Sequence, residues 1–481
     1  MRLNELTITS AREKLDIGEI SSFDLTSACL KRIKQVNRKL HACLLVDEKG
    51  ALQAAKEADQ RLKNGEKSML LGIPFLAKDN IMTKNLVTTA GSKMLKNYVA
   101  PFDATVISRL KEAGAVLLGK TNLDEFAHGS STEYSAFGPS KNPWDTSRVP
   151  GGSSGGSAVA VAADMCLFAL GTDTGGSVRH PAAFCGVTGL KPTYGLCSRF
   201  GLIAMTSSTD VPGILAKNSE DTALVLNVIM GKDDHDATTL ATTKNQMKME
   251  DNFLWKGKKI GIPKEFRSVK LDSTVRKHFD SMIALIKKEG GKVIEVSLPL
   301  APFAVAAYYV ITPSEISSNL ARFDGIRFGH SAKKSKNLLE SYVTTREEGF
   351  GVEVKRRIIL GTFALSAGYA DAYYHQAQKV REGIIENFNQ AFKKCDVIIT
   401  PTTPTPAFKF GAKKNPLAMY LEDIFSVPAS LAGLPAISIP MAKKPLPVGL
   451  QIIGPSLSDQ TILAAGNSLE RIVNLQERLS L

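Results

Sequence analysis

Two loops of the chain combine serine with dense runs of glycine. Ser153 and Ser154 lie in the string PGGSSGGS, and Ser177 ends the string GTDTGGS. Glycine allows backbone turns that other residues cannot adopt, and such turns leave successive N–H groups free to point at an anion. A serine beside these amides has an oxyanion hole at hand, so the two loops indicate nucleophilic catalysis by serine.

Lys78, at the end of the apolar run GIPFLAKDN, is the candidate base for such a serine. The seven histidines occupy unrelated sequence contexts, so a serine–histidine pair is not indicated. An ordinary lysine has a pKa of about 10.4, and burial would have to lower it by roughly three units. A lone lysine at a strand end is more often structural, and a Gly-Ser turn is more often only a turn. Their joint occurrence favours catalysis.

Two commoner interpretations of the first serine loop fail. The string GGSSG at 151–155 matches the G-x-S-x-G elbow, but the preceding NPWDTSRVP is not a strand. An α/β-hydrolase would also need an Asp and a His further along the chain. A phosphate-binding loop requires the pattern G-x-x-x-x-G-K-[ST], which is absent.

The segments that must position these loops alternate between helix and strand. Amphipathic spacing predicts N-terminal helices, the first capped by Ser21 or Ser22 and the next over 49–65. A helix capped by Asp103 is predicted to lead into a strand at 115–122. Further strands are predicted at 70–81, 258–264, 292–298, 396–401, 436–441 and 448–454. Further helices are predicted after Ser219, near 274–289, over most of 300–392 and after Ser458.

This alternation predicts an α/β protein in which strands from both ends of the chain join one large sheet. We expect a single domain over 1–481 with four parts. These are N-terminal helices over 1–65, a catalytic core over 66–298, a mainly helical substrate-side region over 299–392 and a return to the sheet over 393–481. Residues 123–213 carry apolar segments between their turns, so they must be packed rather than form a linker.

Composition is that of an ordinary globular protein, with 43% hydrophobic and 22% charged residues. The net charge of +13 comes from basic residues that are spread along the chain, which disfavours direct nucleic-acid binding. The longest apolar run, 157–170, is too short to span a membrane, and the first twenty residues lack the apolar core of a secretory signal. We therefore expect a chain that starts near Met1 and works in the cytoplasm, with an organelle as the open alternative.

The six cysteines are scattered, without a CxxC pair or a Cys/His cluster at ligand spacing. This pattern indicates neither a zinc site nor a disulfide framework, so we expect reduced and mostly buried thiols at Cys29, Cys43, Cys166, Cys185, Cys197 and Cys395.

In its two serine loops the chain resembles the amidase signature family. The resemblance covers nearly the whole chain, and its core is GGSSGGS followed by GTDTGGSVR, with Ser177 twenty-four residues after Ser153. In that family a Ser–cis-Ser–Lys triad does the chemistry. The resemblance implies that Ser177 is the nucleophile, that Ser153 is the bridging serine in a cis peptide, and that Lys78 is the base.

The same resemblance implies an α/β/α fold around one large twisted mixed sheet flanked by helices, with no cofactor in this chain. The backbone amides of residues 174–177 would form the oxyanion hole. The residues implied for that hole besides the nucleophile are Thr174, Gly175 and Gly176, and those implied to support the loop are Ser154, Asp173 and Arg179.

Stretches outside the triad motifs resemble one branch of the family, the glutaminase subunits of tRNA-dependent amidotransferases. These stretches are KTNLDEFAHGSSTEYSAFGPSKNPWD, SSNLARFDGIRFG, EVKRRIILGTFALSAGYADAYY and LPVGLQIIGP. The resemblance implies that Arg357 holds the α-carboxylate of glutamine and Asp423 its α-amino group, with Tyr308 nearby. A guanidinium fork suits a carboxylate, and a carboxylate suits an ammonium.

The branch also implies partners. The chain would form a heterotrimer with subunits B and C, and a partner subunit would use ATP and Mg²⁺ to amidate Glu-tRNA(Gln), or Asp-tRNA(Asn), with the released ammonia. Charged tRNA would be bound mainly through that partner. Two other functions stay open, namely a free-standing amidase acting on another small amide and a non-catalytic scaffold that binds tRNA or proteins.

The chain departs from the branch at His128, Tyr134 and His180, and in the turn Asp210-Val211-Pro212-Gly213. His180 lies three positions after the predicted nucleophile. We interpret it as a packing residue of the loop, and the alternative is that it alters the polarity of the substrate pocket.

Overall fold

The computed structural model describes residues 2–241, 253–475, 477 and 479. Met1, the expected start of the chain, lies outside these residues. Within them, no helix is both long and apolar enough to cross a membrane.

One mixed sheet of eleven strands organises the described part of the chain, in the order β1-β3-β2-β4-β6-β5-β10-β11-β9-β7-β8. The strands are β1 Cys43–Val46, β2 Pro74–Lys78, β3 Val116–Thr121, β4 Phe168–Asp173, β5 Thr188–Lys191, β6 Val211–Ala216, β7 Lys259–Pro263, β8 Lys292–Val296, β9 Val397–Pro401, β10 Ala436–Ala442 and β11 Val448–Ile453. Strands β3, β2 and β4 run parallel, as do β9, β7 and β8, and the remaining pairs are antiparallel. The predicted α/β class with one large mixed sheet flanked by helices is confirmed.

The α-helices of the described residues flank this sheet. They are α1 Ile8–Asp16, α2 Ser22–Leu40, α3 Glu48–Lys63, α4 Thr105–Glu112, α5 Gly155–Ala162, α6 Arg179–Cys185, α7 Ser219–Ile229, α8 Ser273–Lys288, α9 Ala304–Asn319, α10 Leu338–Gly349, α11 Val352–Ala364, α12 Gln376–Phe392, α13 Pro416–Tyr420, α14 Val427–Leu431 and α15 Asp459–Val473.

Most predicted elements are present, and the N-terminal cap is Ser21, whose side chain accepts from the Asp24 N–H. The predicted cap Asp103 is wrong. Helix α4 begins one residue later, with Ala104 as N-cap and no side-chain cap. The Asp103 carboxylate instead accepts from the Lys84 N–H and pairs with Lys111, so it is not available to the helix.

The sheet brings the ends of β2 and β4 together. These strands are parallel neighbours, so their carboxyl ends meet at one edge. Lys78 ends β2 and Asp173 ends β4, and the loop with Ser177 follows directly before α6. The other serine loop leads into α5, whose packing against β4 and α6 places the two serine loops side by side.

Apolar packing fixes these elements on the sheet. The largest core includes Leu25, Phe168, Ile437 and Leu463, all shielded from solvent. A second core beneath α9 and α12 includes Tyr308, which is thereby fixed beside the serine loops. All six cysteines are buried with free thiols, as expected.

Candidate active site

Lys78 is completely buried, and its amine meets hydroxyl groups. Its Nζ lies 2.7 Å from Ser153 Oγ and 2.8 Å from Thr172 Oγ1. Thr172 belongs to β4, so the parallel pairing of β2 with β4 holds the amine in place. The structure therefore brings together the lysine and the first serine loop, as their sequence pattern predicts.

Burial lowers the pKa of Lys78 to about 7, although the carboxylates of Asp124, Asp173 and Asp210 oppose the shift. An ammonium without water loses most of its solvation energy, which favours the neutral amine. Near neutral pH about half of the Lys78 side chains are therefore unprotonated and able to take a proton.

Ser153 follows a cis peptide bond from Gly152. The segment is held by Asp124, whose backbone N–H donates to the Ser153 carbonyl at 3.3 Å. A Cβ atom on residue 152 would overlap the Asp124 carboxylate and the Ser131 N–H, so only glycine fits there. This close packing fixes the Ser153 hydroxyl against Lys78.

Ser177 lies in the second loop, which contacts the first through the backbone. The Ser154 N–H donates to the Ser177 carbonyl at 3.0 Å. Ser177 is 8% exposed, whereas Lys78 and Ser153 are fully shielded, so Ser177 is the most accessible of the three. Within the described ranges, the N–H groups of Gly175, Gly176 and Ser177 donate to no protein acceptor. They are available for an oxyanion.

An ion pair beneath this loop fixes its two ends. Arg179 and Asp173 are both buried, with Nη2 and Oδ1 2.8 Å apart. Burial opposes ionisation of Asp173, but Arg179 holds its pKa at about 2. Arg179 also donates to Gln451 Oε1 at 2.6 Å, and Ser154 Oγ donates to the Thr172 carbonyl at 3.2 Å. The predicted supporting residues therefore contact the loop.

Arg357 lies on α11 and is buried, with its Nε donating to Glu353 at 2.9 Å. The guanidinium carbon lies 5.3 Å from the ring centre of Tyr309 and 5.8 Å from that of Tyr420. No acceptor among the described residues takes its two Nη groups. Because an arginine side chain stays charged, these groups form a fork that suits a carboxylate.

Asp423 is buried, and it lies near enough to Arg357 for the charge of that guanidinium to affect its pKa. It accepts from Ser130 Oγ at 3.0 Å and from Tyr309 OH at 2.9 Å. Burial raises the pKa of Asp423 to about 7, and the hydrogen bonds from Tyr309 and Ser130, together with the charge of Arg357, oppose this rise. A cation bound to Asp423 would remove the cost of its buried charge.

Tyr308 packs its ring against Gly175. A Cβ atom on residue 175 would lie 2.7 Å from the ring, so the oxyanion loop and the Tyr308 side chain touch only because residue 175 is glycine. Tyr308 also meets Tyr309 edge to face, with ring centres 5.2 Å apart. The structure thus connects Asp423, through Tyr309 and Tyr308, to the loop that holds Ser177.

Sequence reasoning missed several residues of this site. Thr172, Ser130, Tyr309 and Ser426 contact the predicted site residues but were assigned no role. Thr172 is the penultimate residue of β4 and meets Lys78 because β4 pairs with β2, a pairing that the sequence does not show. For the others the sequence offers no signal, since their contacts join distant segments.

The departures from the family branch differ in their surroundings. His128 is buried and its Nδ1 lies 3.1 Å from the Glu125 carbonyl, whereas Tyr134 is partly exposed. Asp210 accepts from Thr174 Oγ1 at 2.7 Å, so that turn supports the oxyanion loop. His180 is buried, as a packing residue would be, but its Nδ1 lies 3.3 Å from Asp423 Oδ1. This contact favours the alternative, an effect on pocket polarity.

The Amidase family matches residues 24–463 of the chain. The A subunit of glutamyl-tRNA(Gln) amidotransferase from Thermoanaerobacter pseudethanolicus is 52% identical over 473 residues, which cover 98% of this chain and 97% of that protein. The protein of the same name from Desulforapulum autotrophicum is 50% identical over 479 residues, with 98% of each chain covered.

Two solved structures agree with these relatives. The A subunit of glutamyl-tRNA(Gln) amidotransferase from Thermotoga maritima is 42% identical, with a TM-score of 0.79 over 98% of this chain and 95% of that chain. The peptide amidase of Stenotrophomonas maltophilia is 30% identical, with a TM-score of 0.83 over 98% of both chains. The family match and the full-length relatives agree with the serine loops, and the chain belongs to the amidase signature family.

Proposed function

We propose that this chain is the glutamine-hydrolysing A subunit of a tRNA-dependent amidotransferase. Relatives named as A subunits of glutamyl-tRNA(Gln) amidotransferase match it over nearly its full length at about 50% identity. The observation that carries the proposal within the site is that a buried arginine, Arg357, and a buried carboxyl group, Asp423, lie near enough for the charge of Arg357 to lower the pKa of Asp423.

Glutamine presents a carboxylate, an ammonium and a side-chain amide. Arg357 binds the α-carboxylate through its unpartnered Nη groups, and Asp423 binds the α-ammonium. Tyr308 forms the wall between this end of the substrate and the oxyanion loop. The side-chain amide then reaches Ser177, and a substrate without both charges loses part of this binding energy.

Acylation begins with a proton transfer. Neutral Lys78 accepts the proton of Ser153, and Ser153 accepts that of Ser177 as its oxygen attacks the amide carbon. The negative oxygen of the tetrahedral intermediate accepts hydrogen bonds from the amides of residues 174–177. When the intermediate collapses, the proton returns from Lys78 through Ser153 to the leaving nitrogen, and ammonia departs. Glutamate stays as an ester on Ser177.

Deacylation uses the same residues in the same order. A water molecule gives its proton through Ser153 to Lys78 while its oxygen attacks the ester carbon, and the oxyanion amides again hold the charge. The C–O bond to Ser177 breaks, the Ser177 oxygen takes a proton back, and glutamate leaves. Hydrolysis thus consumes one water and regenerates the free serine.

The ammonia is used elsewhere in the complex. We infer partner subunits B and C, with ATP and Mg²⁺ bound by a partner that activates and amidates Glu-tRNA(Gln) or Asp-tRNA(Asn). Charged tRNA binds mainly to that partner, and we place the complex in the cytoplasm. The names of the relatives support a multi-subunit amidotransferase for glutamyl-tRNA(Gln), and the other assignments follow from the family resemblance.

The test is ammonia and glutamate release from glutamine by the chain alone, and by the chain with its co-purified subunits and charged tRNA. We expect release with the subunits present and none from the Ser177→Ala variant in the same complex. Rapid hydrolysis of simple aliphatic amides, with no reaction on glutamine under any of these conditions, would instead indicate a free-standing amidase. Failure of a serine-directed inhibitor to label the chain would indicate a scaffold.

A further inference from the structure

A continuous chain of polar contacts joins Asp423 to the oxyanion loop. His180 Nδ1 lies 3.3 Å from Asp423 Oδ1, and His180 Nε2 lies 3.1 Å from Ser426 Oγ. Ser426 Oγ in turn lies 2.6 Å from the carbonyl oxygen of Gly175. His180 and Ser426 are shielded from solvent, so water does not compete for these contacts.

The chemistry of the four groups limits where the protons lie. The Gly175 carbonyl can only accept, and the Ser426 hydroxyl has one proton to give. Ser426 Oγ is also 3.2 Å from the Asp423 carbonyl, but its contact with Gly175 is the shorter. If Ser426 donates to Gly175, then His180 must donate to Ser426 from Nε2. Burial holds the pKa of His180 at about 3, so the ring is neutral and its Nδ1 is then bare.

Asp423 can donate to a bare Nδ1 only in its protonated form, which has no charge to attract an ammonium; once Asp423 is ionised, it and Nδ1 face each other as two acceptors. Three contacts then share only two protons, and one of the contacts must be lost. The ring can turn its proton to Asp423, but Ser426 then donates to His180 and the Gly175 carbonyl loses its donor. A cation with several N–H groups, bound between Asp423 and His180, supplies the missing proton and restores all three contacts.

We propose that His180 and Ser426 form a hydrogen-bond relay. Through it, the α-ammonium of the substrate, bound at Asp423, fixes the orientation of the Gly175–Gly176 peptide in the oxyanion loop. This inference rests on the proposed function. The ammonium donates to Asp423 Oδ1 and to His180 Nδ1, His180 donates to Ser426, and Ser426 donates to the Gly175 carbonyl.

The last contact acts on catalysis because a peptide bond is planar. In a trans peptide the carbonyl of Gly175 and the N–H of Gly176 point to opposite sides. A donor on the Gly175 carbonyl therefore fixes the direction of the Gly176 N–H, one of the amides available to the oxyanion. Residue 176 is a glycine with a φ of +151°, so no side chain at that position holds this peptide. His180 and Ser426 are positioning residues in this scheme.

The experiment compares glutamine with 4-carbamoylbutanoate, which is glutamine without its α-amino group, in the complex with its partner subunits. Ser426→Ala should lower kcat for glutamine by about tenfold, the value of one buried hydrogen bond, and change its KM less than about twofold. The same variant should lower kcat/KM for 4-carbamoylbutanoate by less than about threefold, because that substrate has no ammonium to donate to Asp423 and His180.

Two further variants separate a relay from loose packing. His180→Phe should likewise lose more activity on glutamine than on 4-carbamoylbutanoate. The double variant should have the same kcat for glutamine as His180→Phe alone, since both residues act along one path. Ser430→Ala is the matched control. It removes a nearby buried hydroxyl that accepts from Arg179 at 2.7 Å, and it should affect both substrates by equal factors.

The outcomes are distinct. Equal losses on both substrates in Ser426→Ala and His180→Phe, or additive losses in the double variant, would overturn the relay while leaving the proposed function standing. If the unaltered complex hydrolyses 4-carbamoylbutanoate but not glutamine, the proposed function fails and the relay fails with it. A loss confined to glutamine and shared by the two residues supports the relay.

Discussion

Replacing Lys78 by arginine distinguishes a base from a fixed positive charge. Burial lowers the pKa of Lys78 from 10.5 to about 7. At pH 7 this raises the neutral fraction from about one in three thousand to about one half, a change equivalent to about 5 kcal/mol. Arginine keeps a charge at the same position but does not lose its proton at accessible pH. Lys78→Arg should therefore lower kcat by at least about a hundredfold.

The pH profile of the unaltered protein has a definite sign. Lys78 is protonated below its pKa, so kcat/KM should fall about tenfold for each unit below pH 7 and level off above it. The pKa of Asp423 is also raised to about 7, so its titration would contribute to the pH profile of kcat/KM measured with glutamine. The profile is therefore also measured with 4-carbamoylbutanoate, which has no ammonium for Asp423 to bind.

The assay is ammonia release from pH 5.5 to 9, on complexes whose folding is checked by thermal melting. Lys84→Arg is the matched control, because Lys84 is an exposed lysine six residues further along the chain. It should leave both turnover and the profile unchanged. If Lys78→Arg keeps more than about a tenth of normal turnover, the lysine is only an electrostatic prop and the base mechanism is wrong.

Three other substitutions test separate parts of the site. Ser177→Ala should abolish the acyl-enzyme and leave the melting curve in place, because it removes the attacking oxygen and little volume; an adduct found on another serine by mass spectrometry would contradict the assignment. Arg357→Ala should lower kcat/KM for glutamine by about 30- to 150-fold, and much less for a small amide without an α-carboxylate, whereas equal losses would make Arg357 structural. Lys78→Met should raise the free energy of unfolding by about 2 kcal/mol at pH 6, after the lost hydrogen bonds are subtracted. Because the pKa of Lys78 is lower in the folded state, the cost of burying its charge is fully present below about pH 7 and disappears as the pH approaches 10.5. Denaturant titrations should therefore show the stability gain of Lys78→Met decreasing as the pH rises. A gain that grew with pH would refute the argument.

The strands that the sequence predicts and those that it does not differ in their surroundings. Strands such as β7 and β11 are apolar runs bounded by charged residues, glycine or proline, which mark their ends. By contrast, β4 reads FALGTD, is buried at every position and lies within the glycine-rich segment. A short run buried on both faces carries no alternation, so periodicity cannot distinguish it from a helix. Helix α5 is also buried along nearly its whole length, so its sequence shows no amphipathic spacing that would predict it.

The catalytic pair was predictable for a local reason, whereas the substrate end of the site was not. Glycines around Ser153 and the apolar run before Lys78 are visible in a few neighbouring residues. The contact between His180 and Ser426 joins residues 246 positions apart. It exists because Ser426, directly before α14, contacts His180 at the start of α6, and local spacing cannot reveal such a contact. Sequence therefore favoured a packing role for His180.

Lys191 provides an internal comparison that separates pKa from function. Like Lys78 it is fully buried, and burial likewise lowers its pKa to about 7. Its Nζ, however, donates to the carbonyl of Pro192 at 2.9 Å, and a carbonyl has no proton to give. The amine of Lys78 meets two hydroxyl groups instead, and one of them belongs to a loop in backbone contact with Ser177. A lowered pKa makes both lysines able to accept a proton, but only the neighbours of Lys78 can supply one, so the base follows from the chemistry of the contact rather than from the size of the shift.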